Sequence, residues 1–158
     1  MIREFIVSDL ERVLEIECKS FKDTWRKEEF EVIHKRCPYG FLVAQMNGRV
    51  IGYAIATVEV NLDFKTLRIA RHGHILNLAV DEGYRKQGVG SNLIRSIVER
   101  LRERMVSKVY LEVRKSNQPA IKLYSRLNFK VEKVVKGYYP DGEDAYLMSK
   151  DLSSYAVH

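Results

Sequence analysis

The chain has 158 residues, the length of one domain, with 46% hydrophobic and 30% charged residues. That composition is globular, and with three prolines and nine glycines it excludes a disordered, collagen-like or linker-like protein. Lys and Arg number 27 against 21 Asp and Glu; the net +6 is interleaved with acidic residues, so charge alone selects no partner.

Residues 2–7, IREFIV, read as a first strand. The opening MIREFIVSDLERV alternates charge with hydrophobes and lacks the apolar segment of a signal peptide, so a cytoplasmic protein is expected. Ser8, with Glu11 three residues later, reads as a capping box that starts a helix running to about Ser20. Cys18 shares that helix's amphipathic pattern with Val13, Leu14, Ile16, Glu17 and Phe21, which predicts a buried thiol. Cys18 and Cys37 are the only cysteines and form no C-x-x-C, so no disulfide framework or zinc motif is expected. A second helix is expected from near Thr24 to Arg36, ended by Cys37-Pro38. Phe41–Met46 and Arg49–Val60 read as strands joined at Asn47-Gly48, a strong hairpin signal. Asn47, Gly48 and Arg49 also interrupt the apolar run before it reaches membrane-helix length.

Residues 61–71 read as a loop, and His72–Val80 as a mostly apolar central strand. A long amphipathic helix is expected over about Gly88–Met105, with Val89, Leu93, Ile94, Ile97, Val98 and Leu101 on one stripe. Lys108–Arg114 alternates as a strand, with Val109, Leu111 and Val113 facing the core. A shorter helix follows from about Pro119 to Leu127. Two last strands, near Phe129–Tyr138 and Asp144–Leu152, flank the turn YYPDGE. The order βααβββαβαββ predicts an α/β (α+β) domain: one mixed, largely antiparallel sheet of about seven strands with four helices. The domain is expected to span residues 1–152, with a short tail at 153–158.

The informative segment is Val80-Asp81-Glu82-Gly83-Tyr84-Arg85-Lys86-Gln87-Gly88-Val89-Gly90-Ser91, between a buried strand and the long helix. Gly88 and Gly90 let backbone N–H groups approach a ligand, and the helix start contributes about half a positive charge. Arg85 and Lys86 add full charges, so the physics points to phosphate, and to a pyrophosphate in particular. A Walker loop is excluded because Val89-Gly90 stands in place of Lys-[ST]. A dinucleotide fingerprint is excluded because its third glycine is missing. The pattern [RQ]-x-x-G-x-[GA] is met by Arg85, Gly88 and Gly90.

That pattern resembles the acyl-CoA loop of the GCN5-related N-acetyltransferases (GNAT). Asn117, Ala120 and Tyr124 resemble the family's N-x-x-A-x-x-x-Y segment, and the ending KGYYPDGEDAYLM, Lys136–Met148, resembles the Ard1/RimI branch, which acetylates protein N-termini. Asn128 stands where the family often has Gly, and Asn tolerates left-handed backbone. Lys22-Asp23 stands where the Ard1 branch usually carries Pro-Glu, a departure that bears on substrate choice.

The resemblance implies acetyl-CoA as co-substrate and no metal. Its pyrophosphate would lie on Arg85, Lys86, Gln87, Gly88, Val89, Gly90 and Ser91, and its pantetheine arm along Leu78, Ala79 and Val80 as an added strand. Asn117 would bond the carrier's arm or cap its helix. Glu112 and His74 are the candidates for a proton relay from the amine, and Tyr124 for the acid at the leaving thiolate. Phe21, Asp23 and Trp25 would form one wall of the peptide slot, and Tyr138 and Tyr139 the other. His72 and His74 share a strand face, but no third ligand stands at metal spacing.

The implied function is acetyl transfer to the N-terminal amine of proteins, ribosomal proteins among them, with an auxiliary subunit as a further expected partner. Alternatives are acetylation of lysine or small amines, or a silent acyl-CoA sensor. Direct nucleic-acid binding is not expected, because the mixed charges form no basic stripe.

Overall fold

The order expected from the sequence is the order observed. The structure, a computed structural model, describes residues 1–152, and the expected tail at 153–158 lies outside the described residues. The strands are β1 Ile2–Glu4, β2 Phe41–Met46, β3 Arg49–Asp63, β4 Arg68–Val80, β5 Lys108–Arg114, β6 Lys130–Val135 and β7 Ala145–Asp151. The helices are α1 Leu10–Ser20, α2 Lys27–Arg36, α3 Val89–Arg102 and α4 Gln118–Arg126. The strands form one mixed sheet in the order β1-β2-β3-β4-β5-β7-β6. Two compact units divide the protein: Met1–Ala56 with Asn77–Arg100, and Thr57–Leu76 with Leu101 onward.

In the first unit, β2 pairs antiparallel with β1 and with β3, and Asn47 and Gly48 both take positive φ, as a two-residue hairpin turn requires. Helix α1 buries Leu10, Val13, Ile16 and Glu17, the three- and four-residue spacing of one helical face. Phe5, Phe30, Phe41 and Tyr53 pack as an aromatic cluster, with Phe5 stacked on Phe41 at 4.0 Å. Four expectations fail here. The first strand ends at Glu4, and Ser8 falls inside a 3-10 turn, Val7–Asp9; the carboxylate that meets the orphan N–H is Asp9, which accepts from Ile6 N–H at 2.9 Å. Cys18 is exposed, because its neighbour Glu17 takes the inward position. Helix α2 begins at Lys27, with Glu29 accepting from Arg26 N–H, rather than near Thr24.

In the second unit, β4 runs parallel to β5 with His74 opposite Tyr110, a pairing that needs a crossover, which α3 supplies. Val109, Leu111 and Val113 are buried, while Tyr110, Glu112 and Arg114 stand on the other face, as the alternation predicts. Strand β7 pairs with both β5 and β6. Asn128 takes φ +68 just past α4, the left-handed conformation expected of it. The expected loop at 61–71 is largely strand: β3 continues to Asp63 and β4 begins at Arg68. Its Asn, Asp and Lys residues read as loop because both edges of this arm are exposed, Phe64 and Leu67 included. Among the described residues, no helix is long and apolar enough to cross a membrane.

Candidate active site

In the first unit the strand-to-helix loop gathers backbone donors at the start of α3. Lys86 takes φ +60 and Gly88 φ +85, and the first α3 bond runs from Asn92 N–H to Gly88 C=O at 3.0 Å. The N–H groups of Val89, Gly90 and Ser91 therefore lie in the first turn, without an intrahelical acceptor and at the positive end of the dipole. Arg85 stiffens the loop: its Nε donates to Val80 C=O at 2.9 Å and its Nη2 to Ser20 Oγ at 3.3 Å. Lys86 stays exposed, and Gln87 Nε2 reaches Gly83 C=O at 3.4 Å. Asp81, the acid at the loop's entrance, is paired with Arg12. The donors present fit a pyrophosphate-sized anion.

Beside this loop, Leu78 N–H meets Asn77 Oδ1 at 3.1 Å and Val80 C=O is held by Arg85. An added strand along Leu78, Ala79 and Val80 has to use their remaining groups.

The same unit holds a buried polar hub that sequence reasoning missed. Glu17, 1% exposed, accepts from Tyr53 Oη, from Asn77 Nδ2 at 2.9 Å and from Trp25 N–H at 2.9 Å. Burial, and then the charge of Glu17, push the Tyr53 phenol well above its ordinary value. Phe21, Asp23 and Trp25 lie in the segment between α1 and α2, with Trp25 against Phe30 at 5.4 Å. The signal for the hub was available, since an acid at i+4 from Val13 stands on the helix's apolar face.

The second unit brings His74 and Glu112 together: Nε2 lies 2.6 Å from Glu112 Oε2, with 16% and 14% of the two side chains exposed. Two further groups complete the arrangement. Glu59 Oε1 lies 3.3 Å from His74 Nδ1, and Tyr110 donates to Glu59 Oε2 at 2.6 Å while its ring stacks on His74 at 4.2 Å. Sequence reasoning missed both, because their meeting depends on strand register.

Tyr124 is buried against Phe129, and burial drives its phenol upward, so the hydroxyl stays protonated. Its hydroxyl makes no hydrogen bond among the described residues. Tyr138 and Tyr139 meet edge to face at 4.9 Å; burial and the charge of Tyr138 lift Tyr139 to about 12, and Glu112 raises both tyrosines. Asn117 caps α4, its Oδ1 accepting from Ala120 N–H at 3.2 Å, which leaves its amide nitrogen for a ligand. Among the described residues no group of side chains could hold a metal ion.

Arg114 anchors the tyrosine loop. Its guanidinium bonds Asp141 and Glu143 at 2.9 and 2.8 Å and lies 4.1 Å from the Tyr139 ring centroid. Hydrogen bonding by Ser116, then by Arg114, holds Glu143 at about 2, down from 4.5. Because the folded value is depressed, this contribution is present above about pH 4.5 and is lost as pH falls toward 2. The Ser116 amide donates to Glu143 Oε2 at 2.9 Å, so its proton shift is expected to titrate with a midpoint near 2. A midpoint at the ordinary 4.5 would show the carboxylate to be unheld.

The model of the acetyltransferase (GNAT) family matches residues 10–129. The chain belongs to the GNAT family. It is an acyltransferase, as the loop of Arg85, Gly88 and Gly90 implied. An N-alpha-acetyltransferase of Sulfolobus acidocaldarius is 36% identical over 156 residues, covering 96% of this chain and 92% of that one. The ribosomal protein bS18-alanine N-acetyltransferase of Escherichia coli (strain K12) is 34% identical over 149 residues, covering 92% and 93%. Ard1 from Thermoplasma volcanium, a crystal structure, matches with a TM-score of 0.85 at 30% identity over 96% of each chain.

Proposed function

We propose that this chain is an acetyl-CoA-dependent N-alpha-acetyltransferase, acting as one domain over residues 1–152. The observation that carries the reading is the His74–Glu112 pair at 2.6 Å in a protein so similar to an N-alpha-acetyltransferase. A protein α-amine, with a pKa of about 7.7–8.0, is partly neutral near pH 7, whereas lysine at about 10.4 is not. A weak base working through water therefore suffices.

The steps follow from the residues. Residues Arg85–Ser91 bind the pyrophosphate of acetyl-CoA, and Leu78–Val80 receive its arm. The ammonium gives one proton, through water, to the Glu112–His74 pair. The neutral nitrogen attacks the thioester carbonyl, a C–N bond forms and the C–S bond breaks. The nitrogen's next proton passes through water to the departing sulfur, so CoA leaves as the thiol. Tyr124 meets the departing sulfur. With its phenol raised by burial, full transfer to a thiolate of ordinary pKa about 8.5 is uphill, so its part is a hydrogen bond that stabilises the developing charge. Phe21, Asp23 and Trp25, and Tyr138 and Tyr139, hold the acceptor's first residues. A cytoplasmic place of action, ribosomal proteins as acceptors and an auxiliary subunit belong to the same reading; the E. coli relative, named for a ribosomal protein, supports the second.

Incubation with acetyl-CoA and peptides differing in residues one and two, read by mass spectrometry, tests the proposal. Acetyl groups are expected on the α-amine. Binding of CoA without transfer to any α-amine would leave the sensor reading, and transfer to lysine side chains alone would leave the lysine reading. Tyr124→Phe is expected to lower kcat at least about tenfold at unchanged acetyl-CoA affinity, the size of one hydrogen bond to a developing charge. The variant should fold, since the lost hydroxyl has no hydrogen-bond partner among the described residues. Unchanged turnover would remove Tyr124 from the chemistry.

A further inference from the structure

Glu17 takes no part in the chemistry above, yet it is the most completely buried charged side chain among the described residues. A buried carboxylate is tolerated only with donors around it, and Glu17 has three on its two oxygens: Tyr53 Oη, Asn77 Nδ2 and Trp25 N–H. The same residue's backbone C=O accepts from Phe21 N–H at 3.1 Å. One residue therefore clamps both ends of the Phe21–Trp25 segment, the first end through its backbone and the last through its side chain.

The hub also reaches the end of β4. Asn77, oriented by Glu17 and by Tyr53 Oη at 3.3 Å, turns its own Oδ1 to Leu78 N–H at 3.1 Å. Leu78 is the first residue along which the acyl carrier's arm is proposed to run. Three elements thus converge on one carboxylate: the acceptor-side segment, β3 through Tyr53, and the carrier-side strand through Asn77.

We propose that Glu17 is a positioning residue for the acceptor, fixing the Phe21–Trp25 segment against the end of β4. The proposal rests on the N-alpha-acetyltransferase reading, in which that segment forms a wall of the peptide slot. Glutamine cannot replace the carboxylate here. It offers one oxygen and one N–H pair where three donors converge, so one donor is left facing another.

The test uses the whole protein, steady-state kinetics with acetyl-CoA and a peptide it acetylates, and the emission of Trp25, the single tryptophan. Glu17→Gln is expected to raise the peptide KM about tenfold, the size of one charge-assisted hydrogen bond, while the acetyl-CoA KM stays within about twofold. Trp25 emission of the folded variant is expected to shift to longer wavelength as the segment loosens. Tyr53→Phe, which keeps the ring and removes one donor, is expected to move the peptide KM in the same direction by about threefold. A peptide KM unchanged in both variants overturns the proposal. So does a rise of both KM values together, which marks a merely structural role. Absence of transfer by the wild-type protein would instead overturn the reading on which the proposal rests.

Discussion

Glu112→Gln is expected to lower kcat about a hundredfold and to leave acetyl-CoA affinity within about twofold, the loss typical of a missing general base. The amide keeps the size of the side chain, and the backbone pairing of Glu112 with Leu147 across β5 and β7 does not depend on it. What disappears is a carboxylate, 2.6 Å from His74 Nε2, that can take a proton. Binding should survive because the proposed anion site at Lys86–Ser91 is built from backbone N–H groups, which the substitution does not touch. Steady-state kinetics on the peptide and calorimetry with acetyl-CoA measure the two quantities separately. Adding His74→Ala to Glu112→Gln is expected to cost little more, since residues that act as one unit are not additive. Unchanged kcat in Glu112→Gln would show that the amine needs no base from this protein.

The sequence reading succeeded where the physics is local. The Asn47-Gly48 turn, the strand Lys108–Arg114 and the α3 stripe each rest on neighbours within one or two turns of backbone, and each stands where expected. The cluster of free backbone donors at the start of α3 was legible for the same reason, since residues 85–91 are consecutive. Failures lie where a distant partner decides. Residues 61–71 look like loop until β3 and β4 are seen to extend together. Cys18 and Glu17 compete for one inward position, and hydrophobicity alone favours the thiol. The carboxylate wins because Tyr53 and Asn77, 36 and 60 residues away, supply donors that no local pattern reveals. Glu112 was legible as a residue off the core face, and His74 only through the family resemblance. Their pairing needed the parallel register that sets His74 beside Tyr110, two residues before Glu112.

Gly88→Val is expected to weaken acetyl-CoA binding at least about tenfold while leaving the peptide KM unchanged, because left-handed backbone costs an ordinary L-residue roughly 1–2 kcal/mol. Gly88 sits at φ +85, and a Cβ added there would meet nothing within 4 Å. Space is therefore not the constraint; backbone conformation is. A β-branched residue resists that conformation most, so the loop has to rearrange and re-aim the N–H groups of Val89, Gly90 and Ser91. The first α3 bond, Asn92 N–H to Gly88 C=O, would be strained with it. Gly88→Ala should lie between wild type and Gly88→Val, which orders three proteins along one coordinate. Calorimetry with CoA gives the affinities, and circular dichroism checks that α3 persists. Three equal affinities would mean that the carrier's pyrophosphate is not held by this helix start. An effect on the peptide KM instead would assign the loop to the acceptor. The two substitutions, Glu112→Gln and Gly88→Val, thus separate chemistry from binding: one moves kcat alone, the other acetyl-CoA affinity alone.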